Sequence, residues 1–186
     1  MKTYSNPLLL QNEISKLKNQ SKKIKIIGFI PTMGALHDGH LQLIKQCKKE
    51  TDITIVSIFV NPTQFSPNED FNKYPRPLDS DINKLKKFEV DILFTPSTDD
   101  IYPNGTKSTT RVFIPYISKL HCGQTRKNFF RGICMVVNRL FNITMPDKAY
   151  FGEKDYQQLT IIKKMVDDLY MPLEIVSCPI IRDKDG

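Results

Sequence analysis

Apolar positions along this chain fall into two alternating rhythms. Compact, β-branched runs read as strands: KIKIIGFI (23–30), ITIVSIFV (53–60), VDILFTP (90–96), KAYFGE (148–153) and LEIVSCPII (173–181). The first of these is apolar almost throughout and ends at Pro31, the pattern of a strand buried on both faces. Between the runs the spacing lengthens to three and four residues. SNPLLLQNEISKLKNQ (5–20) predicts a helix capped by Asn6 or Ser5, with Pro7 in its first turn and Leu10, Ile14 and Leu17 on one face. HLQLIKQCKKE (40–50), LDSDINKLKKF (78–88), RGICMVVNRLFNIT (131–144) and DYQQLTIIKKMVDDL (155–169) predict four more helices. Strand and helix alternate along most of the chain, which calls for an α/β fold: a mostly parallel sheet with helices on both faces.

Two stretches break the rhythm. NPTQFSPNEDFNKYPRP (61–77) carries four prolines and no periodicity, and long loops of this kind are usually functional. About 97–130, the turn YPNGTKS and the segment TTRVFIPYISKLHCGQTRKNFF predict an irregular insertion with one short strand. With 186 residues, 40% hydrophobic and 25% charged, the chain has the size and composition of one substantial globular domain.

Charge changes this picture little. The net charge is +7, from 27 Lys+Arg against 20 Asp+Glu. The positives are mostly lysines scattered along predicted helices, with no block of like charge and no interleaved basic and aromatic stripe, so nucleic acid is not an expected partner. Four cysteines, Cys47, Cys122, Cys134 and Cys178, show no metal-like spacing. The opening MKTYSNPLLL has no signal-peptide character, and no apolar run approaches membrane-spanning length. A soluble protein with free thiols in the reducing cytoplasm, without membrane partners, is the expectation.

Three polar clusters follow predicted strands: TMGALHDGH, NPTQF and FGEKDYQQ. In an open parallel sheet, ligands bind beyond the carboxyl ends of the strands where strand order reverses, so all three can converge on one edge. In the first cluster Gly34 permits a tight turn, and Asp38-Gly39 can open the following helix, whose N-terminus suits a phosphate. His37 and His40, two of only three histidines, stand three apart around that start and can donate together to phosphate oxygens. A metal pair and a simple turn cap are the alternatives. In the second cluster Asn61 and Gln64 offer uncharged amides to hydroxyl and carboxylate groups, or else serve a turn beside Pro62. In the third, Gly152 ends a strand, Lys154 can act as a point charge on phosphate, and Asp155 can hold ribose hydroxyls; solvated helix-start charges are the competing reading.

PTMGALHDGH, SIFVNPTQF, YPRPLDSD, IYPNGT, FRG and FGEKDYQQL, in this order and spacing, resemble the pantoate–β-alanine ligase (pantothenate synthetase) family, and HDGH resembles the HxGH signature of a wider nucleotidyltransferase superfamily. The resemblance implies a Rossmann-like domain over 1–186 that binds ATP and pantoate. It implies that ATP and pantoate form a pantoyl adenylate with magnesium, and that β-alanine then gives pantothenate and AMP. By motif, His37 and His40 would meet the ATP phosphates, Lys154 would join them, and Gly39 would lie at the nucleotide. Thr32 and Met33 would line the nucleotide or pantoate pocket. Gly152 and Asp155 would contact ribose, and Asn61, Gln64 and Gln158 would hold pantoate. A homodimer is implied as well.

Two departures from the family pattern stand out. Phe129 occupies the place of the usual histidine in HFRG, so any polar role of that side chain is lost. The sequence given stops at IIRDKDG, where the family continues into a Ser-Ser-Arg-Asn segment and a smaller C-terminal domain. The expectation is a chain holding the nucleotide-binding domain without that lid, with weak or no turnover. Other readings are a different HxGH-type adenylyl- or cytidylyltransferase, a non-catalytic nucleotide-binding or dimerisation module, and an RNA-binding relative.

Overall fold

The computed structural model describes residues 1–19, 24–65, 71–182 and 185–186. Gln20, Lys23 and positions 66–70, all within elements or loops expected from the sequence, lie outside the described residues. Six strands form one sheet: β1 (Lys2–Tyr4), β2 (Ile27–Thr32), β3 (Ile53–Ile58), β4 (Ile92–Phe94), β5 (Lys148–Gly152) and β6 (Glu174–Cys178). Their order is β1-β4-β3-β2-β5-β6, and every neighbouring pair is parallel. The helices are α1 (Pro7–Asn19), α2 (Asp38–Glu50), α3 (Leu78–Lys87), α4 (Thr98–Ile101), α5 (Cys122–Thr125), α6 (Phe129–Thr144) and α7 (Tyr156–Asp168).

The period-2 geometry of a strand sends alternate side chains to opposite faces. Ile27, Phe29, Ile53, Ile55, Ile92 and Phe94 therefore pack with α1, α6 and α7 on one face. Ile30, Val56, Leu93 and Tyr150 pack with Leu43, Ile44 and Cys47 of α2 and Leu85 of α3 on the other. Helices on both faces explain why the central strands read as continuous apolar runs. Close approach is built in at Gly28, where a Cβ would come within 2.2 Å of the Cys47 Sγ.

Strand order reverses at β2. From it the chain goes to β3 and β4 on one side, and later returns to β5 and β6 on the other. The β2 ladder to β3 runs through Thr32↔Ile58, whereas its ladder to β5 pairs only Gly28↔Lys148 and Phe29↔Ala149. Pro31 lies just beyond the last of these pairs and has no N–H to extend a ladder. The two strands part there, and a crevice opens between their carboxyl ends.

Most expected elements form within a few residues of their anticipated limits. Asn6 caps α1, its Oδ1 accepting from Leu9 N at 3.1 Å. Strand β1 is an addition: three residues, KTY, are too few for a periodic signal, yet Lys2 N and Thr95 N bond across to Asp91 O and Tyr4 O, each at 2.8 Å. The short strand expected within 97–130 does not form. Val112 and Ile114 turn inward and Phe113 outward, but among the described residues no neighbouring strand pairs with them. Instead the segment holds α4, a 3₁₀ turn at Ile117–Lys119 and α5. Gln157 pins it to α7, donating to Ile117 O (2.9 Å) and Leu120 O (2.7 Å) and accepting from Cys122 N (3.2 Å).

Candidate active site

The loop from β2 to α2 is held from below by α3. Asp81, 1% exposed, accepts from Ala35 N and Leu36 N at 2.8 Å each, and Lys84 Nζ donates to Leu36 O. Gly34 takes a left-handed φ of +82°, and a Cβ there would press to 3.2 Å from the Asp81 carboxylate. Thr32 closes the turn, its hydroxyl donating to Ser57 O (2.7 Å) and accepting from Gly34 N (3.2 Å).

This clamp delivers the two histidines to the start of α2. His37 is the N-cap, its Nδ1 accepting from Gly39 N at 3.2 Å, and His40 Nδ1 accepts in return from His37 N at 3.4 Å. Their ring centroids are 4.1 Å apart. A Cβ on residue 39 would come within 2.9 Å of His37 Cε1, so Gly39 serves the cap before it serves any ligand. Capping and ligand binding are thus compatible readings: each Nδ1 caps the helix, which leaves the ring N–H on Nε2. Burial pushes His40 down to about 4, the neighbouring His37 adding to this, as do Lys154 and Lys84, while Asp81 opposes them. His40 is therefore a neutral imidazole at neutral pH, a hydrogen-bond donor through Nε2.

Both histidines border two adjoining cavities. The larger, about 400 Å³, runs between α2 and the β5–α7 turn, with Gly152, Lys154 and Asp155 on its far wall and Ile180 and Ile181 at its end. Lys154 and Asp155 are exposed and 3.9 Å apart, a weak pairing that leaves both free to meet a ligand. Asp155 occupies the N-cap position of α7 without capping it by its side chain, so its carboxylate remains available. The smaller cavity, about 250 Å³, has Met33, Phe59, Ile133, Val136 and Leu140 as an apolar wall, with Thr32 at its rim and the amides of Gln64 and Gln158 as polar fixtures. Gln158 borders both cavities.

Asn61 is the one expected contact residue that does not reach either cavity. It is fully buried; its Nδ2 donates to Gln64 Oε1 (3.0 Å) and Gly132 O (3.2 Å). Its Oδ1 accepts from Thr63 N, Thr63 Oγ1 (3.0 Å) and Tyr102 OH (3.0 Å). No capacity is left for a ligand. What Asn61 does is fix the Gln64 amide: with Oε1 engaged, the Gln64 nitrogen is the end left for a ligand. Gly132 lets α6 come this close, since a Cβ there would lie 2.4 Å from Thr63 O.

Sequence reasoning missed the supports. Asp81 sat unassigned within YPRPLDSD, and Tyr102 within IYPNGT; a buried carboxylate accepting two loop N–H groups leaves no periodic trace. Ile180 and Ile181, the last residues of the apolar run LEIVSCPII, carry no polar signal, yet they fall at the carboxyl edge and line the larger cavity. Phe129 packs at the edge of the α6-side core and carries the Arg126 guanidinium over its ring at 3.5 Å, which accounts for an aromatic residue at that place.

Among the described residues no group of three His, Cys, Asp or Glu side chains could hold a metal ion, and no helix is long and apolar enough to cross a membrane.

Comparison with known proteins gives the chain its relatives. The profile of the family described as "Pantoate-beta-alanine ligase" matches residues 3–186. "Pantothenate synthetase" of Pseudothermotoga lettingae is 50% identical over 175 residues, 94% of this chain and 62% of that protein. "Pantothenate synthetase" of a Sulfurihydrogenibium species is 50% identical over 186 residues, 100% of this chain and 65% of that protein. The chain thus spans under two thirds of the length of these curated relatives. Among solved structures, the ligase of Francisella tularensis "Complexed with Beta-gamma ATP and Beta-alanine" superimposes with a TM-score of 0.92 at 44% identity, over 100% of this chain and 69% of that one. Pantothenate synthetase of Thermus thermophilus gives 0.91 at 41%, over 100% and 64%.

Proposed function

The chain belongs to the pantoate-beta-alanine ligase family, and from that premise we propose that it binds ATP and pantoate side by side and serves the ATP-dependent condensation of pantoate with β-alanine. One observation carries the reading. Two imidazoles, oriented by their own helix caps, stand where a 400 Å³ cleft bordered by Lys154 and Asp155 meets a 250 Å³ cavity fitted with two glutamine amides.

The chemistry follows from the parts. The smaller cavity suits a branched hydroxy acid: methyl groups against Val136, Ile133 and Phe59, and hydroxyl and carboxylate groups on Gln64 and Gln158. A carboxylate held there faces the histidines. In the first step its oxygen attacks the α-phosphorus of ATP and the bond to the β,γ-diphosphate breaks. An acyl adenylate forms and pyrophosphate leaves. Negative charge grows on phosphate oxygens in that transition state, and preorganised donors in a sheltered cleft are the groups that stabilise it. His37 and His40 present Nε2–H, and Lys154 adds a full positive charge. A neutral His40 has no proton to give away at neutral pH and acts as an electrostatic donor. Gly152 and Asp155 meet the ribose, and the free Asp155 carboxylate is the natural acceptor for its hydroxyls. In the second step the β-alanine amine attacks the acyl carbon, the bond to AMP breaks, and the amine proton is released. No protein nucleophile is needed.

Magnesium would enter with the nucleotide. Such a hard cation keeps most of its waters and needs only one or two carboxylates beside phosphates, and Asp38 and Asp155 border the cleft. Bound there it would neutralise phosphate charge. The family premise also supports a homodimer, and the free thiols support a cytoplasmic setting.

Calorimetry with ATP on the 186-residue chain tests the nucleotide half. Binding should weaken at least tenfold in His40→Ala and in Lys154→Ala. Pantoate-dependent exchange of pyrophosphate into ATP, measured in the protein carrying this chain, tests the rest. Exchange with another carboxylate but not with pantoate would assign the cleft to a different HxGH nucleotidyltransferase. ATP affinity untouched by His40→Ala would sink the site as drawn.

A further inference from the structure

A further cavity, of about 510 Å³, shares no lining residue with the two of the candidate site and lies at the start of α6, against the irregular segment before it. Arg111, Lys119, Lys127 and Arg131 all line it, and no acidic residue does. None of the four has an ion-pair or hydrogen-bond partner among the described residues. Four unmatched cations around one hollow repel one another, and surface lysines ordinarily spread apart to avoid this.

The helix start makes the imbalance sharper. The first α6 bond runs from Gly132 N to Asn128 O, so the Phe130 and Arg131 N–H groups have no intrahelical acceptor. Asn128, in the left-handed region at φ +74°, makes no side-chain cap, and the first turn holds Arg131 but no acid. A cation at the positive end of a 16-residue helix is on the unfavourable side of the macrodipole. Ser118 also lines the hollow; its hydroxyl oxygen is buried and has no hydrogen-bond partner among the described residues. The 117–123 turn is folded tightly to hold it there: a Cβ on Gly123 would lie within 1.9 Å of Ser118 O. Cations, free N–H groups and an unpartnered hydroxyl all lack the same thing, an anion with several acceptor oxygens.

We propose that this hollow is a second anion site, distinct from the ATP cleft, that takes a small multiply charged phosphate compound. Two phosphate groups would match four cations, and its volume leaves room for an organic portion against Phe113 and Phe130. Phe113 is 52% exposed at the rim, a large apolar ring with nothing yet covering it.

The chain contains no tryptophan, so Phe113→Trp places a single fluorophore at the rim. Titration of that variant with inorganic pyrophosphate should give a saturable fluorescence change that sodium chloride at equal ionic strength does not reproduce. Adding Lys127→Gln and Arg131→Gln should weaken it at least tenfold, whereas His40→Ala should leave it unchanged. In the unsubstituted chain, the amide resonances of Phe130 and Arg131 should shift along the same isotherm, which keeps the test independent of the fluorophore. A response that is unsaturable, equal in sodium chloride, or undiminished in the double glutamine variant overturns the proposal. So does a response to a short RNA with none to pyrophosphate, which would make the patch a nucleic-acid surface instead.

Discussion

At the residue scale, the candidate site depends on side chains whose protons are fixed by neighbours rather than by the ligand. Tyr102, 1% exposed, donates to Asn61 Oδ1; Asn61 donates to Gln64 Oε1; the Gln64 nitrogen is left for a ligand. Removing the first donor leaves Thr63 and Gly132 to orient Asn61 but takes one of the bonds that hold this relay, and Gln64 with it, in place. A neutral hydrogen bond of this kind is worth about 1 kcal/mol, or a factor of about five. On the proposed function, Tyr102→Phe is therefore expected to weaken pantoate binding roughly fivefold while leaving ATP affinity alone; an equal loss in both would mean general damage instead. His40 gives a second expectation. Its pKa falls from 6.5 to about 4 in the fold, so between those values the unfolded chain binds a proton that the folded chain does not. Stability from this source is complete above pH 6.5 and is lost as pH falls toward 4. The loss should be on the order of 2 kcal/mol after allowing for partial exposure. Urea denaturation at pH 7 and pH 4.5 would measure it, and His40→Gln should flatten the difference. An undiminished pH dependence in that variant would place the titration on another group.

At the element scale, α6 and α7 carry as much of the site as the sheet does. The glycine in FRG lets α6 lie against the Thr63–Gln64 turn, with Thr63 O only 2.4 Å from where a Cβ would be. Gly132→Ala has to push that turn away. Overpacking of this kind costs about 1–3 kcal/mol, and Gln64 moves with the turn. Both a lower urea midpoint and weaker pantoate binding are expected, and stability lost with pantoate binding intact would show that the two are not coupled through this contact. On α7, adjacent glutamines have separate tasks: Gln158 faces the cleft, while Gln157 holds Ile117, Leu120 and Cys122 by three bonds. Gln157→Ala should speed tryptic cleavage at Lys119 and Arg126 with little change in global stability, because of the three residues it holds only Ile117 packs against a core. Cleavage unchanged from the parent chain would mean other contacts hold it.

At the scale of the whole molecule, what was legible in the sequence is what repeats. Apolar runs in ITIVSIFV and helical spacing in RGICMVVNRLFNIT have a period, so the parallel sheet and its two helical faces could be read. The positions of His37, His40, Gln64, Gln158 and Lys154 at one edge followed from their places after strands. Contacts with no period could not be read: the short β1, the Asp81 clamp from 45 residues away, and the inward turn of Asn61. The same logic explains why the cleft exists. The sheet is two halves joined at β2 and β5 by only two residue pairs, and the carboxyl ends part beyond them. His37 and His40 belong to one half, Lys154 and Asp155 to the other, and both groups border one cavity. The proposed nucleotide, seated there, would tie the halves together across the seam with the fewest residue pairs. Hydrogen exchange with and without ATP should show protection on both sides at once, over 33–40 and over 152–158. The opposite edge, around Asp52 and Asp91, should be unaffected. Lys154→Ala should weaken both protections in parallel, because they report one bridging ligand. Protection confined to 33–40 would mean that the nucleotide rests on α2 alone and that the two halves are not coupled through it.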